Sequence, residues 1–263
     1  MILLTNDDGI KSPTLEKTLE ALSEEDKVVV VPAKDVSGCS MCITIDREIN
    51  VKKKKIRQNE ILVCDGKTAD CVLLGSTVAN KPIKGVISGI NTGPNLGLDV
   101  IYSGTVAGAR KGSLLGIPSV AISMERSYQK KQKIFYESAY SLLPIVKNLL
   151  LSNPPPEKHF MNINIPNQPL QNIKSAVVTN LGRRGYKDKM TNKETKGSSL
   201  VFICEDEEVV QDFTPGTDSW AISEKLVSLT LLKDMINESV MDWDLSVWIK
   251  SINCFLEERN EKI

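Results

Sequence analysis

Four oxygen-bearing side chains follow apolar runs in the first hundred residues, and together they could bind a metal ion. Asp7 and Asp8 follow the first apolar run, Ser37 lies in the loop after the second, and Asn91 lies after a later one. In an open parallel sheet, the loops at the carboxyl ends of the strands open on one edge, so these donors should converge. A set of carboxylate, hydroxyl and amide oxygens suits Mg²⁺, Mn²⁺ or Ca²⁺ better than Zn²⁺.

Two adjacent carboxylates repel each other, and this repulsion allows two interpretations of Asp7 and Asp8. A divalent cation would offset both charges. Alternatively, one acid caps a helix that starts near Ser12 while the other is solvated. Residue spacing alone leaves both interpretations open.

A second group of residues could hold an anion. Ser103, Gly104 and Thr105 precede a helix rich in small residues. Free backbone N–H groups at a helix start bind phosphate, hydroxyls add donors, and glycine permits close approach. An ordinary Ser/Thr helix cap is the alternative. The glycine-rich stretch SGINTGPNLG just before it favours a ligand-facing loop, although neither G-x-G-x-x-G nor a Walker A pattern is present.

Other residue types narrow the chemistry. The only histidine in the sequence, His159, is far from the acidic loops, so we expect a surface or packing role for it. Cys39 and Cys42 have metal or redox spacing, but no second close pair accompanies them, and reduced structural thiols are the better interpretation. The reaction class that remains is attack of a metal-activated water on a phosphate ester.

Composition excludes some classes of partner. The 263 residues include 33 Lys and Arg and 33 Asp and Glu, so there is no overall basic charge to attract nucleic acid, and we expect no stable nucleic-acid complex. No apolar run approaches the length of a membrane span, and the N-terminus is unlike a signal peptide. A cytoplasmic protein without a membrane partner is therefore the expectation.

Hydrophobic patterns predict an α/β fold. Strands are expected at residues 1–5, 28–31, 43–51, 61–64, 85–88, 119–123, 160–165, 175–179 and 223–232, and helices at 12–23, 70–78, 105–115, 133–151 and 234–256. The last helix carries Trp243 and Trp248 as separate packing residues. The lysine-rich residues 52–60 are expected at a hairpin tip, and 183–199 as a loop or extended hairpin. Repeated strand–helix units predict a doubly wound, mostly parallel sheet.

The sequence resembles a known family. The segments LLTNDDGI, SGCSMCIT, SGINTGPNLGLDVIYSGTVAGA and GIPSVAIS occur in that order and resemble the SurE survival protein family. PGTD at 215–218 resembles its C-terminal part. The resemblance is close over residues 1–125 and looser afterwards. It implies a Rossmann-like three-layer sandwich in 1–125 and a smaller C-terminal region in 126–263 that exchanges elements between the subunits of a homodimer or homotetramer.

The resemblance also implies an activity: a metal-dependent 5′-nucleotidase that hydrolyses nucleoside 5′- and 3′-monophosphates, and in some members short polyphosphate. It implies one Mg²⁺ or Mn²⁺ per subunit. The metal ligands carry over to Asp7, Asp8, Ser37 and Asn91, with Asp7 and Asp8 also catalytic. The substrate-binding and phosphate-binding residues carry over to Asn6, Asn95, Ser103, Gly104 and Thr105.

Some residues depart from the family pattern. Val36 stands where a basic residue is common, and Met41 stands where a polar residue is usual. Two other hypotheses therefore remain: a nucleotide-binding regulator with negligible turnover, or an interaction protein that acts through residues 183–199 and the C-terminal helix. Direct attack by water and a phosphoryl-Asp intermediate are not separated by the sequence.

Overall fold

The structure is a computed structural model that describes residues 1–126, 133–196, 198–235 and 244–260. The strands are β1 (Ile2–Thr5), β2 (Lys27–Pro32), β3 (Val51–Ile56), β4 (Asn59–Cys64), β5 (Gly85–Asn91), β6 (Ser119–Met124), β7 (His159–Ile165), β8 (Ala176–Val178), β9 (Arg184–Lys196), β10 (Ser199–Gln211) and β11 (Val227–Lys233). The helices are α1 (Leu15–Ala21), α2 (Thr68–Val78), α3 (Asp99–Tyr102), α4 (Gly104–Leu114), α5 (Tyr136–Ser152), α6 (Asp218–Ser223) and α7 (Ser246–Asn260).

Within the described residues, nine strands form one sheet in the order β3-β4-β2-β1-β5-β6-β7-β11-β8. The six strands from β4 to β7 are parallel to one another. β3 pairs antiparallel with β4, and β11 pairs antiparallel with β7. This architecture confirms the predicted α/β class with a mostly parallel sheet.

Alternating residues of the central strand face two helical layers. Ile2 and Leu4 of β1 belong to a large apolar cluster that includes residues of α1, α5 and α7. Leu3 belongs to a different cluster with Val72 of α2. Because side chains of a strand point alternately to opposite faces, a run of apolar residues is needed when both faces are covered.

The parallel strands bring the predicted loops to one edge of the sheet. Asn6 follows the carboxyl end of β1, residue 33 follows that of β2, and Asn91 ends β5. β1 is hydrogen-bonded to both β2 and β5, so the loops after these three strands are neighbours. The fold thus places the acidic loop between the two loops that carry Ser37 and Asn91.

The predicted position of the hairpin tip in the lysine-rich stretch is wrong. Residues 43–50 have no strand, and Lys52–Lys55 lie in β3 rather than at a hairpin tip. β3 is an edge strand with a partner on one side only, and its four lysines are exposed. Lysine is tolerated there, and it discourages pairing with another chain.

In the second half of the chain, the predicted kinds of element agree with the structure more often than their predicted first and last residues do. The predicted strand at 223–232 is wrong at its start, because α6 ends at Ser223 and β11 begins at Val227. In the described residues the last helix begins at Ser246 rather than at residue 234. Trp248 is a buried packing residue, whereas Trp243 lies outside the described residues.

Of the two predictions for residues 183–199, the extended hairpin is confirmed: β9 and β10 pair antiparallel with each other, apart from the main sheet, and β10 extends to Gln211. The division of the chain at residue 125 stays a prediction, and β6 and β7 pair directly across it. In the part of the chain that the structure describes, no helix has the length and apolar character of a membrane span.

Candidate active site

A cavity of about 630 Å³ lies at the carboxyl edge of the sheet. Five of the residues predicted from the sequence line it: Asp7, Ser37, Asn91, Asn95 and Ser103. Residues that the sequence analysis did not assign to the site complete its lining: Gly38, Pro94, Asp99, Tyr102, Tyr186 and Cys204. The structure therefore brings together groups from both halves of the chain.

The acidic loop is shaped by Asn6 and Gly9. Asn6 is buried, its Oδ1 accepts from the Gly9 N–H at 2.9 Å, and its Nδ2 donates to the Gly9 carbonyl at 3.2 Å. Gly9 has φ +80°, and a Cβ there would lie 2.8 Å from the Pro32 carbonyl oxygen. Asn6 thus closes the loop, and this differs from the substrate contact predicted for it: its amide is directed at Gly9.

Asp7 is buried against the start of α4. The Thr105 hydroxyl donates a hydrogen bond to Asp7 Oδ1. A Cβ added to Gly104 would lie 2.7 Å from Asp7 Cβ and 2.9 Å from Asp7 Oδ2, so a larger residue cannot occupy this position without displacing the carboxylate. Burial raises the pKa of Asp7, the Thr105 hydrogen bond opposes this, and the Asp35 charge adds to the rise.

Asp8 is partly exposed beside Asp7, and its Oδ2 accepts from the Ser12 hydroxyl at 3.1 Å. Burial, followed by repulsion from Asp7, raises the pKa of Asp8 to about 6. The sequence alternative, in which one of the two acids caps the helix, is wrong: the N-cap of α1 is Thr14 and forms no side-chain cap, and among the described residues Asp8 accepts only from the Ser12 hydroxyl.

Ser37 and Asn91 present oxygen atoms to the same cavity. The Val36 N–H donates to the Asp7 carbonyl at 2.9 Å, which joins the Ser37 loop to the acidic loop. The Ser37 N–H donates to Asp35 Oδ1 at 2.8 Å. Asn91 Nδ2 donates to the Gly93 carbonyl at 2.8 Å. Because this bond fixes the amide nitrogen, it orients the Asn91 side chain and leaves Oδ1 available to a ligand.

The predicted anion site lies at the start of α4. Ser103 is the N-cap, and its Oγ accepts from the Val106 N–H at 3.0 Å. The hydroxyl hydrogen of Ser103 is therefore free of that bond and can donate to a ligand. The first-turn N–H groups of a helix lack intrahelical acceptors and attract anions. Ser103 acts as an ordinary cap and also lines the cavity.

Asn95 is held by the second half of the chain. Its backbone N–H donates to Asn164 Oδ1 at 2.8 Å, and its carbonyl accepts from Asn162 Nδ2 and Asn164 Nδ2. Its own Nδ2 donates to Ser123 Oγ at 2.6 Å. These contacts explain why β7 carries two fully buried asparagines, since both satisfy the backbone of the glycine-rich loop.

The PGTD segment holds the same glycine-rich loop in place through the carboxylate of Asp218. Asp218 is fully buried, and its carboxylate accepts from the N–H groups of Gly97, Gly182 and Ser219, each at 2.8 Å. Gly97 has φ +51°, and a Cβ there would lie 2.5 Å from the Gly182 carbonyl oxygen. Burial raises the pKa of Asp218, and the backbone hydrogen bonds oppose that rise.

A buried cluster forms one wall of the cavity. Arg184 Nε lies 2.9 Å from Asp99 Oδ2, and the Tyr186 hydroxyl donates to Asp99 Oδ1. Burial raises the pKa of Asp99, and the Arg184 charge is the leading opposing influence. The sequence analysis missed this cluster, because Asp99 is more than 80 residues away from Arg184 and Tyr186 in the sequence and no local motif joins them.

His159 begins β7, at the edge of the sheet opposite the carboxyl ends. It is buried, and its Nδ1 lies 2.9 Å from the Glu157 carbonyl oxygen. This position confirms the expected packing role.

The chemistry of the donor set fits a hard divalent cation. Burial is the main cause that raises the pKa of both Asp7 and Asp8, repulsion from neighbouring carboxylates adds to it, and a cation would offset that repulsion. Among the described residues, no three His, Cys, Asp or Glu side chains form a metal-binding group. That Ser37 and Asn91 complete the ligand set stays a prediction, and oxygen donors of this kind favour Mg²⁺ or Mn²⁺.

Comparisons with known proteins identify the family of the chain. The family model described as survival protein SurE matches residues 2–188. A relative from Aquifex aeolicus (strain VF5), named 5′-nucleotidase SurE, is 40% identical over 244 residues, which cover 91% of this chain and 94% of the relative. A relative from Klebsiella pneumoniae (strain 342), named 5′/3′-nucleotidase SurE, is 38% identical over 250 residues, covering 92% and 95%.

A solved structure extends the likeness to three dimensions. The crystal structure of the SurE protein from Aquifex aeolicus matches with a TM-score of 0.72 and 36% identity, and covers 95% of this chain and 98% of that chain. The family model and the relatives each span well over half of the sequence. The chain belongs to the survival protein SurE family, as its motifs indicated.

Proposed function

We propose that this protein is a divalent-metal-dependent phosphomonoesterase that hydrolyses nucleoside 5′- and 3′-monophosphates to nucleoside and phosphate. The observation that carries the proposal is the cavity in which Asp7, Ser37 and Asn91 lie beside Ser103 at the start of α4. It combines oxygen donors for a cation with N–H donors for a phosphate. The names of the two relatives, 5′-nucleotidase and 5′/3′-nucleotidase, supply the substrate class.

One Mg²⁺ or Mn²⁺ per chain would be held by Asp7, Asp8, Ser37 and Asn91. A cation bound there would polarise a phosphoryl oxygen and lower the pKa of an attacking water. Thr105 holds the Asp7 carboxylate in place by its hydrogen bond, and Gly104 leaves space for that carboxylate. Asp7 or Asp8 would accept the proton that the attacking water loses.

The phosphate would lie against the start of α4. The Ser103 hydroxyl and the first N–H groups of the helix would donate to its oxygens as charge moves toward the leaving group. Asn95 is fixed by four hydrogen bonds and lines the same space, so it is preorganised rather than recruited by substrate. We retain Asn6 as a residue that shapes the loop.

The nucleoside would occupy the outer part of the cavity, where Tyr102 and Tyr186 contribute aromatic rings. Tyr186 is fixed through its hydroxyl by Asp99, whereas Tyr102 is largely exposed. Aromatic stacking tolerates any base, because every base has a π-face. Tyr102→Ala should therefore raise KM for nucleotides while leaving KM for methyl phosphate unchanged. An equal change for both substrates would exclude stacking.

The β9–β10 hairpin would contact a second copy of the chain, giving a homodimer or homotetramer. An isolated two-stranded hairpin is marginal in water, yet this one extends over 13 residues per strand. It exposes large apolar side chains, among them Met190, Leu200 and Phe202. Replacing Leu200 and Phe202 with serine should shift the sedimentation coefficient to that of a smaller species. An unchanged value would exclude the hairpin as the contact.

The decisive experiment is a phosphate-release assay with a panel of nucleoside 5′- and 3′-monophosphates and tripolyphosphate. It would use Mn²⁺, Mg²⁺ or excess chelator. We expect release that depends on the cation and is abolished by Asp8→Asn. Asp26→Asn is the matched control: it removes the same charge from an exposed carboxylate bonded to Lys81 next to the start of β2. Saturable binding without release would instead favour the nucleotide-binding regulator.

The route of attack needs a separate measurement. Rapid quench of a reaction with a ³²P-labelled nucleotide would trap a phosphoryl-Asp if Asp7 or Asp8 attacked phosphorus directly. We expect no protein-bound label, because Asp7 is hydrogen-bonded by Thr105 and buried beneath Gly104. Label on either aspartate would establish the covalent route.

A further inference from the structure

Two thiols contact each other inside the protein, away from the residues assigned to the cavity. Cys64 ends β4, and Cys71 lies in the first turns of α2. Their Sγ atoms are 3.2 Å apart, and both residues are fully buried. Even carbon atoms, which are smaller than sulfur, prefer about 3.5–4.0 Å in van der Waals contact. The two side chains are therefore closer than ordinary packing requires.

This spacing favours a covalent bond over a shared metal. Two thiolates on a tetrahedral Zn²⁺ are about 3.8 Å apart, from Zn–S bonds of about 2.3 Å. The next acid, Asp70, already accepts from the Lys67 N–H at 2.8 Å and from the Thr44 hydroxyl at 2.6 Å. No third Cys, His, Asp or Glu side chain completes a metal-binding group with this pair among the described residues.

We propose that Cys64 and Cys71 form a reversible intramolecular disulfide when the protein meets hydrogen peroxide. The Cys64 thiol gives up its proton and the thiolate attacks one peroxide oxygen; the O–O bond breaks, the sulfur keeps an OH group as a sulfenic acid, and the leaving hydroxide takes up the Cys64 proton to become one water. The Cys71 sulfur then attacks the Cys64 sulfur, the S–O bond breaks, and the hydroxyl leaves as a second water with the Cys71 proton. Two thiols and one peroxide thus give one disulfide and two waters, and an external thiol reverses the oxidation.

The environment of the pair distinguishes the two thiols. The hydrogen bond from Cys71 is the main cause that lowers the pKa of Cys64, and the Gly66 backbone assists. The same bond and burial raise the pKa of Cys71. Cys64 is therefore the first to be oxidised. Asp65, the next residue, is exposed, so a small opening of the turn at 65–67 would admit a molecule as small as peroxide.

Formation of the bond would be transmitted toward the Ser37 loop. A disulfide needs an S–S distance of about 2.05 Å, and we expect the first turn of α2 to approach the end of β4 as the two sulfur atoms come together. That turn is tied to the segment after Ser37, because Asp70 accepts from the N–H and hydroxyl of Thr44. Lys67 Nζ also lies 3.7 Å from Cys39 Sγ. We therefore expect oxidation to alter residues 39–44.

Peptide mapping tests the bond directly. Lys67 separates the two cysteines, so trypsin places them on different peptides, residues 58–67 and 68–84. After peroxide treatment of the full chain and alkylation under denaturing conditions, we expect these two peptides to be joined. The joined mass should be about 2 Da below the sum of the reduced peptides, and dithiothreitol should separate them. Recovery of both cysteines in alkylated form, at a peroxide dose that oxidises the exposed Cys42, would overturn the proposal.

Variants and exchange measurements give the controls. Cys64→Ser and Cys71→Ser should each abolish the joined peptide, whereas Cys254→Ser, at an exposed position in α7, should retain it. Peptide mapping of the natural chain shows whether the disulfide forms even if a variant fails to fold. Hydrogen–deuterium exchange should differ between the oxidised and reduced chains in residues 39–44. A disulfide that leaves exchange there unchanged would refute transmission to the Ser37 loop.

Discussion

Asp8→Asn should make the protein more stable when divalent cations have been removed, even though it removes a residue that we assign to the site. Burial and the neighbouring Asp7 raise the pKa of Asp8 to about 6, so near neutral pH the folded chain holds an ionised carboxylate in an unfavourable position. Asparagine has nearly the same shape, and its Oδ1 can still accept from the Ser12 hydroxyl. The substitution therefore removes repulsion and keeps the contact.

The size of the effect follows from the pKa. A rise from 3.8 to about 6 corresponds to about 3 kcal/mol, at about 1.4 kcal/mol per pKa unit. Asp8 is partly exposed, and solvent screening reduces this to about 1–2 kcal/mol in the free energy of unfolding. For a chain of this size, the midpoint of thermal unfolding should rise by roughly 2–6 °C.

Scanning calorimetry in excess chelator, from pH 4 to pH 8, measures this difference. Because the pKa of Asp8 is higher in the folded chain than in the unfolded chain, the folded chain binds more protons between about pH 4 and pH 6. The natural chain should therefore lose stability relative to Asp8→Asn as pH rises through that window. The difference should then stay constant up to pH 8, and Asp26→Asn should show no such dependence.

Added Mn²⁺ should make the natural chain more stable than Asp8→Asn. The natural chain should gain stability as the cation binds the folded state, and Asp8→Asn should gain much less. Our reasoning would be refuted by an Asp8→Asn protein that is less stable than the natural chain in chelator at pH 7. A stability difference that does not vary between pH 4 and pH 6 would refute it equally.

Three further substitutions test other contacts. Gly104→Ala places a Cβ 2.7 Å from Asp7 Cβ, so kcat should fall at least about tenfold with an unchanged circular dichroism spectrum; near-normal kcat would contradict the close packing. Thr105→Val keeps the side-chain shape but removes the donor to Asp7, and kcat should fall about tenfold while KM changes little. Asp218→Asn replaces one of the two acceptor oxygens with an NH₂ donor, so that at least one of the buried N–H groups of Gly97, Gly182 and Ser219 loses its acceptor; the free energy of unfolding should fall by about 1–3 kcal/mol in urea titrations, and a change below about 0.5 kcal/mol would contradict its role.

The sequence predicts the central part of the site because that part depends on local rules. Apolar runs mark the parallel strands, and the residues after each run must lie at the same edge of the sheet. Asp7, Ser37 and Asn91 could be placed together on this basis alone. Ser103 was recognisable because an N-cap and a glycine before a helix have a local signature.

The rest depends on contacts between distant parts of the chain. Asp99 meets Arg184 and Tyr186 only because the start of β9 lies against the cavity wall, and no spacing in the sequence encodes that contact. Asn6 lies next to Asp7 in sequence, yet its side chain turns back to Gly9. Adjacency in the sequence thus indicates where a residue lies but not the direction of its side chain.

For the lysine-rich strand β3, local sequence preference predicted the wrong element. Intrinsic preference and charge favoured an exposed turn for residues 52–55, whereas pairing with β4 at the sheet edge makes the same lysines part of a strand. Strand preference depends on whether a neighbour is present, so such a segment can be assigned only once the partner strand is known.

The most direct test of the account is anomalous diffraction at the manganese edge from crystals grown with Mn²⁺. We predict one strong peak per chain, within coordination distance of oxygen atoms of Asp7, Asp8, Ser37 and Asn91. A cavity without a peak at saturating Mn²⁺, or a peak bound by other residues, would contradict the claim that loops from three parallel strands hold one divalent cation.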